Sequence, residues 1–221
     1  DHMLNFLENH DEQRIASDFF AGNAEIGIPG MIVSALMNTN PVMIYNGQEL
    51  GERGMDEEGF SGFDGRTTIF DYWSMESVRN WINGGVYDGG KLSSSQKALR
   101  EMYGKILNIA ENEPVIVHGL FYDLMYANSA NRCFNLKHQY AFLRKYKNEV
   151  LFAVVNFDKA EQTVRVVIPV EAFQYLDIPD NKAATQTDLI TGETCISRLT
   201  EVCPFQVKIP AYSGRLLKFT Y

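Results

Sequence analysis

The chain has 221 residues, of which 45% are hydrophobic and 22% charged, and its formal net charge is −8. This acidic balance argues against a nucleic-acid partner, because phosphate backbones are bound by clustered lysine and arginine. No apolar run approaches the ~20 residues needed to span a bilayer, so we expect no membrane anchor. The length allows one large domain or two small ones, and the charge suits a neutral ligand such as a sugar.

The first predicted element is an apolar strand that ends in a cluster of polar side chains. It starts apolar at Leu4 and ends with Asn9, His10, Asp11 and Arg14. A buried strand of this kind delivers polar side chains to a pocket at its carboxyl end, where the chemistry of a barrel of parallel strands takes place. The alternative is a His-Asp pair that is hydrogen-bonded on the surface.

A helix and a second strand follow the polar cluster. Pro29 suits the first turn of a helix, and the residues from Met31 to Met37 are apolar nearly all round. The run Pro41–Tyr45 is short and continuously apolar, which is typical of strands covered on both faces. Strand, helix and strand within about 40 residues predict a βαβ unit with a parallel sheet.

A glycine-rich connection then runs from residue 46 to about residue 92. Connections longer than about 12–15 residues are uncommon unless they are functional. A brief helix is expected within it from Ser74 to Asn83, with Ser74 as its N-cap. A long amphipathic helix follows, because Ser93 and Gln96 have the spacing of a capping box.

The sequence changes character near residue 113, where we place a domain boundary between residues 1–112 and 113–221. The second part consists of short β-rich runs separated by turn-forming residues, namely 121–126, 140–146, 150–157, 163–170 and 214–220. Regular short strands with turns between them predict an antiparallel β-sandwich.

The three cysteines make an odd count and lack the spacing of metal ligands. A disulfide between Cys195 and Cys203 is conceivable, but we expect Cys133 and these two to be reduced thiols. The cysteines therefore do not distinguish between a cytoplasmic, a periplasmic and a secreted protein.

The stretch Phe6-Leu7-Glu8-Asn9-His10-Asp11 resembles the fourth conserved region of the α-amylase superfamily, glycoside hydrolase family 13. There, Phe, an aliphatic residue and any residue precede Asn-His-Asp. The matching Asp is the third of three catalytic acids and stabilises the transition state, and the matching His binds substrate. The resemblance therefore implies that Asp11 is catalytic and that His10 binds substrate. These roles fit a reaction in which the sugar becomes positively charged at its anomeric carbon.

Two later stretches resemble the same family. Residues 41–49 look like its eighth barrel strand with the Tyr-x-Gly-x-Glu end, where Glu49 is expected to be architectural. Asp64 and Arg66 lie where an Asp and an Arg of the family grip the sugar, although a salt bridge within the loop is the open alternative. Trp73 nearby could stack on a sugar face or fill the core, and we favour the core. We expect Arg14 to orient a neighbouring carboxylate.

The resemblance covers the whole chain but only the second part of such an enzyme. It implies strands seven and eight of a (β/α)8 barrel with their helices, followed by the β-sandwich. The family's nucleophilic Asp and acid/base Glu lie on the fourth and fifth strands, and only ten residues precede Asp11. We therefore expect the whole enzyme to be a retaining α-glucan hydrolase that acts on starch, glycogen or maltooligosaccharides. We expect this chain alone to be inactive. Ca²⁺ is often found in amylases, but no ligand set in this sequence demands it.

Two strands of an eight-stranded barrel leave open edges and an uncovered apolar face, which soluble proteins avoid. We therefore expect the chain to pair with the missing N-terminal part of the barrel or to self-associate. Otherwise, we expect its first 110 residues or so to be poorly ordered.

Two other functions are alternatives to the enzyme. The first is a carbohydrate-binding β-domain with residues 1–112 as a non-catalytic carrier, which is suggested by Tyr122, Tyr126, Tyr140 and Tyr175. Aromatic residues that alternate in strands also suit a core. The second is a metal or nucleotide site on the loop that contains Asp56, Glu57 and Glu58, but no EF-hand spacing, phosphate loop or dinucleotide fingerprint is present.

Overall fold

The computed structural model describes residues 3–55 and 63–221, and the chain divides into two compact units. The first unit comprises Asp1–Ser34 and Asn40–Lys105, and the second comprises Ala35–Thr39 and Ile106–Tyr221. The loop acids named above, Asp56 to Glu58, lie outside the described residues, so the hypothesis of a site on them receives no structural account.

The first unit contains the predicted βαβ arrangement. Strand β1 (Asn5–Phe6) pairs in parallel with β2 (Val42–Met43), and helix α1 (Gly27–Leu36) connects them. Pro29 lies in the first turn of α1, where a backbone N–H has no partner within the helix and its absence is therefore tolerated. The prediction of a parallel pair of strands is confirmed.

Two more helices follow in the described part of the chain, and the second of them begins in the first unit and ends in the second. Helix α2 (Glu76–Ile82) begins after Met75 rather than at Ser74, whose hydroxyl instead donates to the carbonyl of Asp71. Helix α3 (Ser94–Asn112) carries the predicted capping box, in which the Ser93 N–H donates to Gln96 Oε1 at 3.0 Å and the Gln96 N–H donates to Ser93 Oγ at 3.2 Å. Among the described residues, no helix has the length and apolar character to cross a membrane.

The second unit is built mainly from antiparallel strands. The elements in chain order are α4 (Pro114–Val117), β3 (Leu120–Asp123), β4 (Gln139–Tyr146), β5 (Glu149–Asn156), β6 (Gln162–Val166), α5 (Val170–Leu176), β7 (Ala184–Asp188), β8 (Thr194–Ser197), β9 (Phe205–Ile209) and β10 (Ser213–Thr220). Six of these strands form one sheet in the order β3-β4-β5-β10-β7-β8, and β6 pairs with β9.

One continuous hydrophobic core holds the second unit together. It includes Phe152 of β5, Val164 of β6, Val207 of β9 and Phe219 of β10, so both sheets contribute to it. Each of the five predicted runs overlaps an observed strand that begins one residue earlier, whereas β7, β8 and β9 were not predicted. The predicted strand at 163–170 ends early because α5 begins at Val170 and buries one face in the core. The three cysteines are free and exposed, as expected.

Candidate functional site

His10 and Asp11 lie in a turn just beyond the carboxyl end of β1. The side-chain oxygen of Asn9 shapes this turn by accepting the N–H groups of Asp11 and Glu12 at 2.8 and 3.0 Å. The side chains of His10 and Asp11 are 58% and 74% exposed, with 3.4 Å between His10 Nε2 and Asp11 Oδ1. The two candidate residues are therefore brought together, and both are accessible to a ligand.

A buried arginine, Arg14, is bonded to Glu8, the residue that directly precedes this turn. Arg14 Nη1 donates to Glu8 Oε2 at 2.7 Å, and its Nη2 donates to the carbonyl of Asn46 at 2.6 Å. Its Nε and Nη2 both donate to Thr67 Oγ1, at 3.0 and 2.6 Å, and its Cζ lies 4.2 Å from the centre of the Tyr45 ring. One guanidinium therefore joins the segment after β1, the segment after β2 and the long loop. Its planar fork of five donors suits this task.

The carboxylate that Arg14 holds is that of Glu8, which is itself buried. Glu8 Oε1 also accepts the N–H of Ile15 at 2.7 Å. Burial raises the pKa of Glu8, and the adjacent guanidinium of Arg14 opposes this shift. Glu8 was not predicted as a functional residue, because it occupies the position where the motif allows any residue. An acid at the end of an apolar strand, six residues before an arginine, is the signal that could have revealed the pair.

The backbone of the long loop is hydrogen-bonded to the backbone of Arg14. The Arg14 N–H donates to the Gly65 carbonyl at 2.7 Å, and the Gly65 N–H donates to the Gly54 carbonyl at 3.0 Å. Gly65 has a φ of +83°, and a Cβ at this position would collide with Ser17 Oγ. Only glycine adopts this positive φ without strain and has no Cβ that would collide with Ser17.

Asp64 and Arg66 flank this glycine and face each other. Asp64 Oδ1 accepts the N–H of Arg66 at 3.0 Å, and Arg66 Nε lies 3.8 Å from Asp64 Oδ2. Both side chains are about half exposed. The structure therefore brings the predicted Asp-Arg pair together as an ion pair within the loop, with polar atoms that remain accessible.

An apolar recess of about 450 Å³ opens beside His10, and its other walls are Thr68, Ile69 and Phe70. The interpretation of Trp73 as a core residue is wrong, since its side chain is 51% exposed. The physical reason is Asp71, which is fully buried and accepts the N–H of Thr68 at 2.6 Å. Because this short segment turns inward at Asp71, several large side chains near it are left exposed, namely those of Ile69, Phe70, Tyr72 and Trp73.

Glu49 lies in a 3-10 turn, Gln48–Leu50, and is partly buried. The neighbouring Gln48 is fixed by Tyr103, whose hydroxyl accepts from Gln48 Nε2 at 3.2 Å. Burial raises the pKa of Tyr103 to about 12. The buried acid of this region is Glu52, which sequence analysis also missed. Its carboxylate accepts the Ser77 hydroxyl and the N–H of Gly54, the latter at 2.9 Å.

No metal-binding group is evident in the part of the chain that the structure describes. Within residues 3–55 and 63–221, no three His, Cys, Asp or Glu side chains gather where they could hold an ion.

This chain is similar to known proteins in structure, and several of them are α-amylases. No protein-family model and no curated protein matches the sequence. Among solved structures, a maltogenic α-amylase of Thermotoga neapolitana matches 99% of this chain with 15% identity and a TM-score of 0.61, over 41% of its own length. An α-amylase of Geobacillus thermoleovorans complexed with acarbose matches 100% of the chain with 15% identity and a TM-score of 0.61, over 39% of its length. AmyP in complex with maltose matches 97% with 17% identity and a TM-score of 0.62, over 40% of its length.

This chain has the fold of the C-terminal part of an α-amylase. It spans about 40% of the length of the α-amylases it matches. The fold class predicted from the sequence, an α/β part followed by an antiparallel all-β part, is confirmed. The turn after β1 therefore lies at the carboxyl end of a parallel strand, in a chain with an α-amylase fold.

Proposed function

We propose that this chain is the C-terminal part of an α-amylase-type glycoside hydrolase of family 13 that acts on α-glucans. The observation that carries the proposal is the placement of Asn9-His10-Asp11. This motif follows the carboxyl end of β1, and Asp11 is exposed there on an α-amylase fold. In this proposal, β1 and β2 are the seventh and eighth strands of the barrel.

Asp11 acts as the transition-state stabiliser. As the glycosidic bond breaks, the sugar becomes an oxocarbenium-like cation, and a carboxylate that bonds its hydroxyls binds this cation more tightly than it binds the substrate. His10 donates a hydrogen bond to the same sugar. The turn built by Asn9 and supported by Arg14 holds both side chains in place, which limits the reorganisation needed during reaction.

The loop after β2 binds the neighbouring part of the substrate. Arg66 offers a forked donor and Asp64 an acceptor to vicinal hydroxyls. The apolar recess beside His10 offers Phe70 as a surface for the C–H face of a sugar ring. Maltose and acarbose are bound in two of the similar structures, which supports maltooligosaccharides as substrates.

The mechanism is retaining, so it also needs a nucleophilic Asp and an acid/base Glu. In this proposal, both belong to barrel strands that precede β1, and the 221-residue chain is inactive by itself. The exposed apolar side chains of Leu4, Phe6, Phe19 and Phe20 support a partner for the first unit, either those preceding strands or a second copy of the chain.

Complementation tests the proposed function. The chain is combined with the first six strand-helix units of an α-amylase barrel, and the complex is isolated by size-exclusion chromatography. We expect the isolated complex to hydrolyse maltoheptaose and each part alone to be inactive. An assembled but inactive complex contradicts the proposal, and so does hydrolysis by the chain alone.

A further inference from the structure

Three tyrosine rings meet on the surface of the second unit. Tyr122 belongs to β3, Tyr126 begins a 3-10 turn, and Tyr175 lies on α5. The ring centre of Tyr122 is 6.3 Å from that of Tyr126 and 5.8 Å from that of Tyr175. Tyr126 and Tyr175 are 57% and 60% exposed. We call these three residues the tyrosine cluster.

Tyr140, the fourth tyrosine named in the hypothesis of a carbohydrate-binding β-domain, is not part of the tyrosine cluster. Its hydroxyl donates to Asp123 Oδ2 at 2.9 Å, and its side chain is partly buried. The tyrosine cluster therefore consists of three of the four tyrosines. The aromatic content of the sequence alone would not have distinguished them from Tyr140.

The cluster is fixed before any ligand binds. Tyr122 packs against the hydrophobic core, and its hydroxyl forms a 2.6 Å hydrogen bond with that of Tyr126. Tyr175 is carried by α5, whose Phe173 and Leu176 are buried in the same core. Rigid rings lose little conformational freedom on binding, so their contact area contributes efficiently to affinity.

The cluster also has polar groups at its edge. The bond between the hydroxyls of Tyr122 and Tyr126 uses one of their two O–H groups, which leaves the other able to donate. Glu171 lies one helical turn before Tyr175, and its negative charge acts on Tyr122. Burial raises the pKa of Tyr122, and the hydrogen bond with Tyr126 and the charge of Glu171 add to this shift.

Aromatic faces beside a carboxylate and hydroxyls are the chemistry that recognises a sugar. Its C–H faces pack on the electron-rich ring faces, and its hydroxyls bond the polar edge. The planes of Tyr126 and Tyr175 are tilted by 53° and 47° from that of Tyr122. The cluster therefore forms a bent surface, which suits a curved glucan chain better than a flat one. The carboxylate of Glu171 disfavours a polyanion.

We propose that the tyrosine cluster is a carbohydrate site of the second unit, separate from the turn that carries Asp11, and that it binds an α-1,4-linked glucan without cleaving it. The choice of an α-glucan as the occupant rests on the proposed function, whereas the presence of a sugar site rests on the cluster itself.

Affinity electrophoresis of the 221-residue chain tests this proposal. Native gels contain soluble starch or, in parallel, hydroxyethyl cellulose, and migration is compared with that of a non-binding reference protein. We expect starch to retard the chain and hydroxyethyl cellulose to have no effect. In the Tyr126→Ala/Tyr175→Ala double variant, the dissociation constant for starch should rise at least about tenfold.

Two variants control for indirect effects. Ile196→Ala removes an exposed apolar side chain from β8 of the same unit, and it should bind starch like the unchanged chain. Tyr175→Phe keeps the ring and loses the hydroxyl, so it should retain most of the affinity. We expect the double variant to fold, because Tyr126 and Tyr175 are largely exposed. Thermal unfolding followed by circular dichroism checks that it does.

Three results overturn the inference: an unchanged chain that starch does not retard, a folded double variant that binds as well as the unchanged chain, and an equal loss in Ile196→Ala. Retardation by hydroxyethyl cellulose instead of starch overturns the choice of an α-glucan. Failure of the complementation experiment leaves starch retardation unaffected, so the two proposals fail separately.

Discussion

The two units differ in what they bury. The second unit closes a continuous hydrophobic core, and β5 is buried from Val150 to Asn156. Among its described residues, the first unit has a sheet of two strands with two residues each, and it exposes Leu4 and Phe6. The largest fully buried side chain within residues 3–55 and 63–105 is a charged one, Arg14. The second unit is therefore stabilised mainly by apolar burial, whereas the turn of the first unit is organised by a buried ion pair.

This contrast has a functional consequence. A hydrophobic core tolerates changes on its surface, so the second unit can carry a binding surface such as the tyrosine cluster without loss of stability. A buried ion pair fixes geometry but contributes less to net stability than its contacts suggest. The first unit therefore has a well-defined turn at His10 and Asp11 and, in our proposal, relies on a partner to cover its apolar side chains.

The largest effect is expected from the core of the second unit. Phe152→Ala removes a fully buried ring from β5, and it should lower the free energy of unfolding by about 4 kcal/mol. Leu4→Ala in the first unit should change it by less than about 0.5 kcal/mol, because Leu4 is exposed. Urea unfolding followed by far-UV circular dichroism measures both. Equal losses in the two variants contradict the contrast between the units.

The buried ion pair should give the next largest effect. Glu8→Gln removes the charge beside Arg14 and leaves one acceptor oxygen where Arg14 and Ile15 now use two. The first unit should lose about 3 kcal/mol. Both tryptophans of the chain, Trp73 and Trp81, lie in the first unit, so their fluorescence during urea unfolding reports on it.

Glu12→Gln is the matched control, because Glu12 is an exposed acid in the same turn. It should leave the tryptophan unfolding transition within about 0.5 kcal/mol of that of the unchanged chain. If the two variants unfold alike, the ion pair does not organise the first unit.

A smaller effect is expected at the loop glycine. Gly65→Ala meets both a positive φ and Ser17, and it should cost the first unit about 2 kcal/mol. Gly104→Ala should have the opposite sign and gain about 0.5–1 kcal/mol, because Gly104 lies inside α3 with open space around its missing Cβ. Tryptophan fluorescence during unfolding measures both variants. A Gly65→Ala variant as stable as the unchanged chain would show that the loop has no special requirement for glycine.

Local patterns predicted much of this fold. The capping box from Ser93 to Gln96, the parallel βαβ unit and five strands of the second unit follow from spacing and periodicity over a few residues. Strands β7 and β8 were missed because polar residues such as Thr185 and Gln186 alternate poorly with apolar ones at the end of a sheet. Hydrophobic pattern carries little information in such strands.

The candidate site was predictable only in part. The motif identified His10 and Asp11, but their support by Arg14 depends on Asn46 and Thr67, which are distant in sequence. Trp73 was misplaced for a related reason, because its exposure is set by the burial of Asp71 rather than by its own apolar character. Contacts between distant segments decide both features, and no local pattern contains them.

The most direct test of the central claim is the rate of maltoheptaose hydrolysis by the assembled complex with and without the Asp11 carboxylate. In Asp11→Asn, we predict that kcat falls about a thousandfold or more, with little change in complex formation, because this carboxylate acts mainly on the transition state. Glu12→Gln should retain activity within about threefold, since Glu12 belongs to the same exposed turn and has no assigned role. An Asp11→Asn complex that hydrolyses maltoheptaose at the unchanged rate would contradict the account.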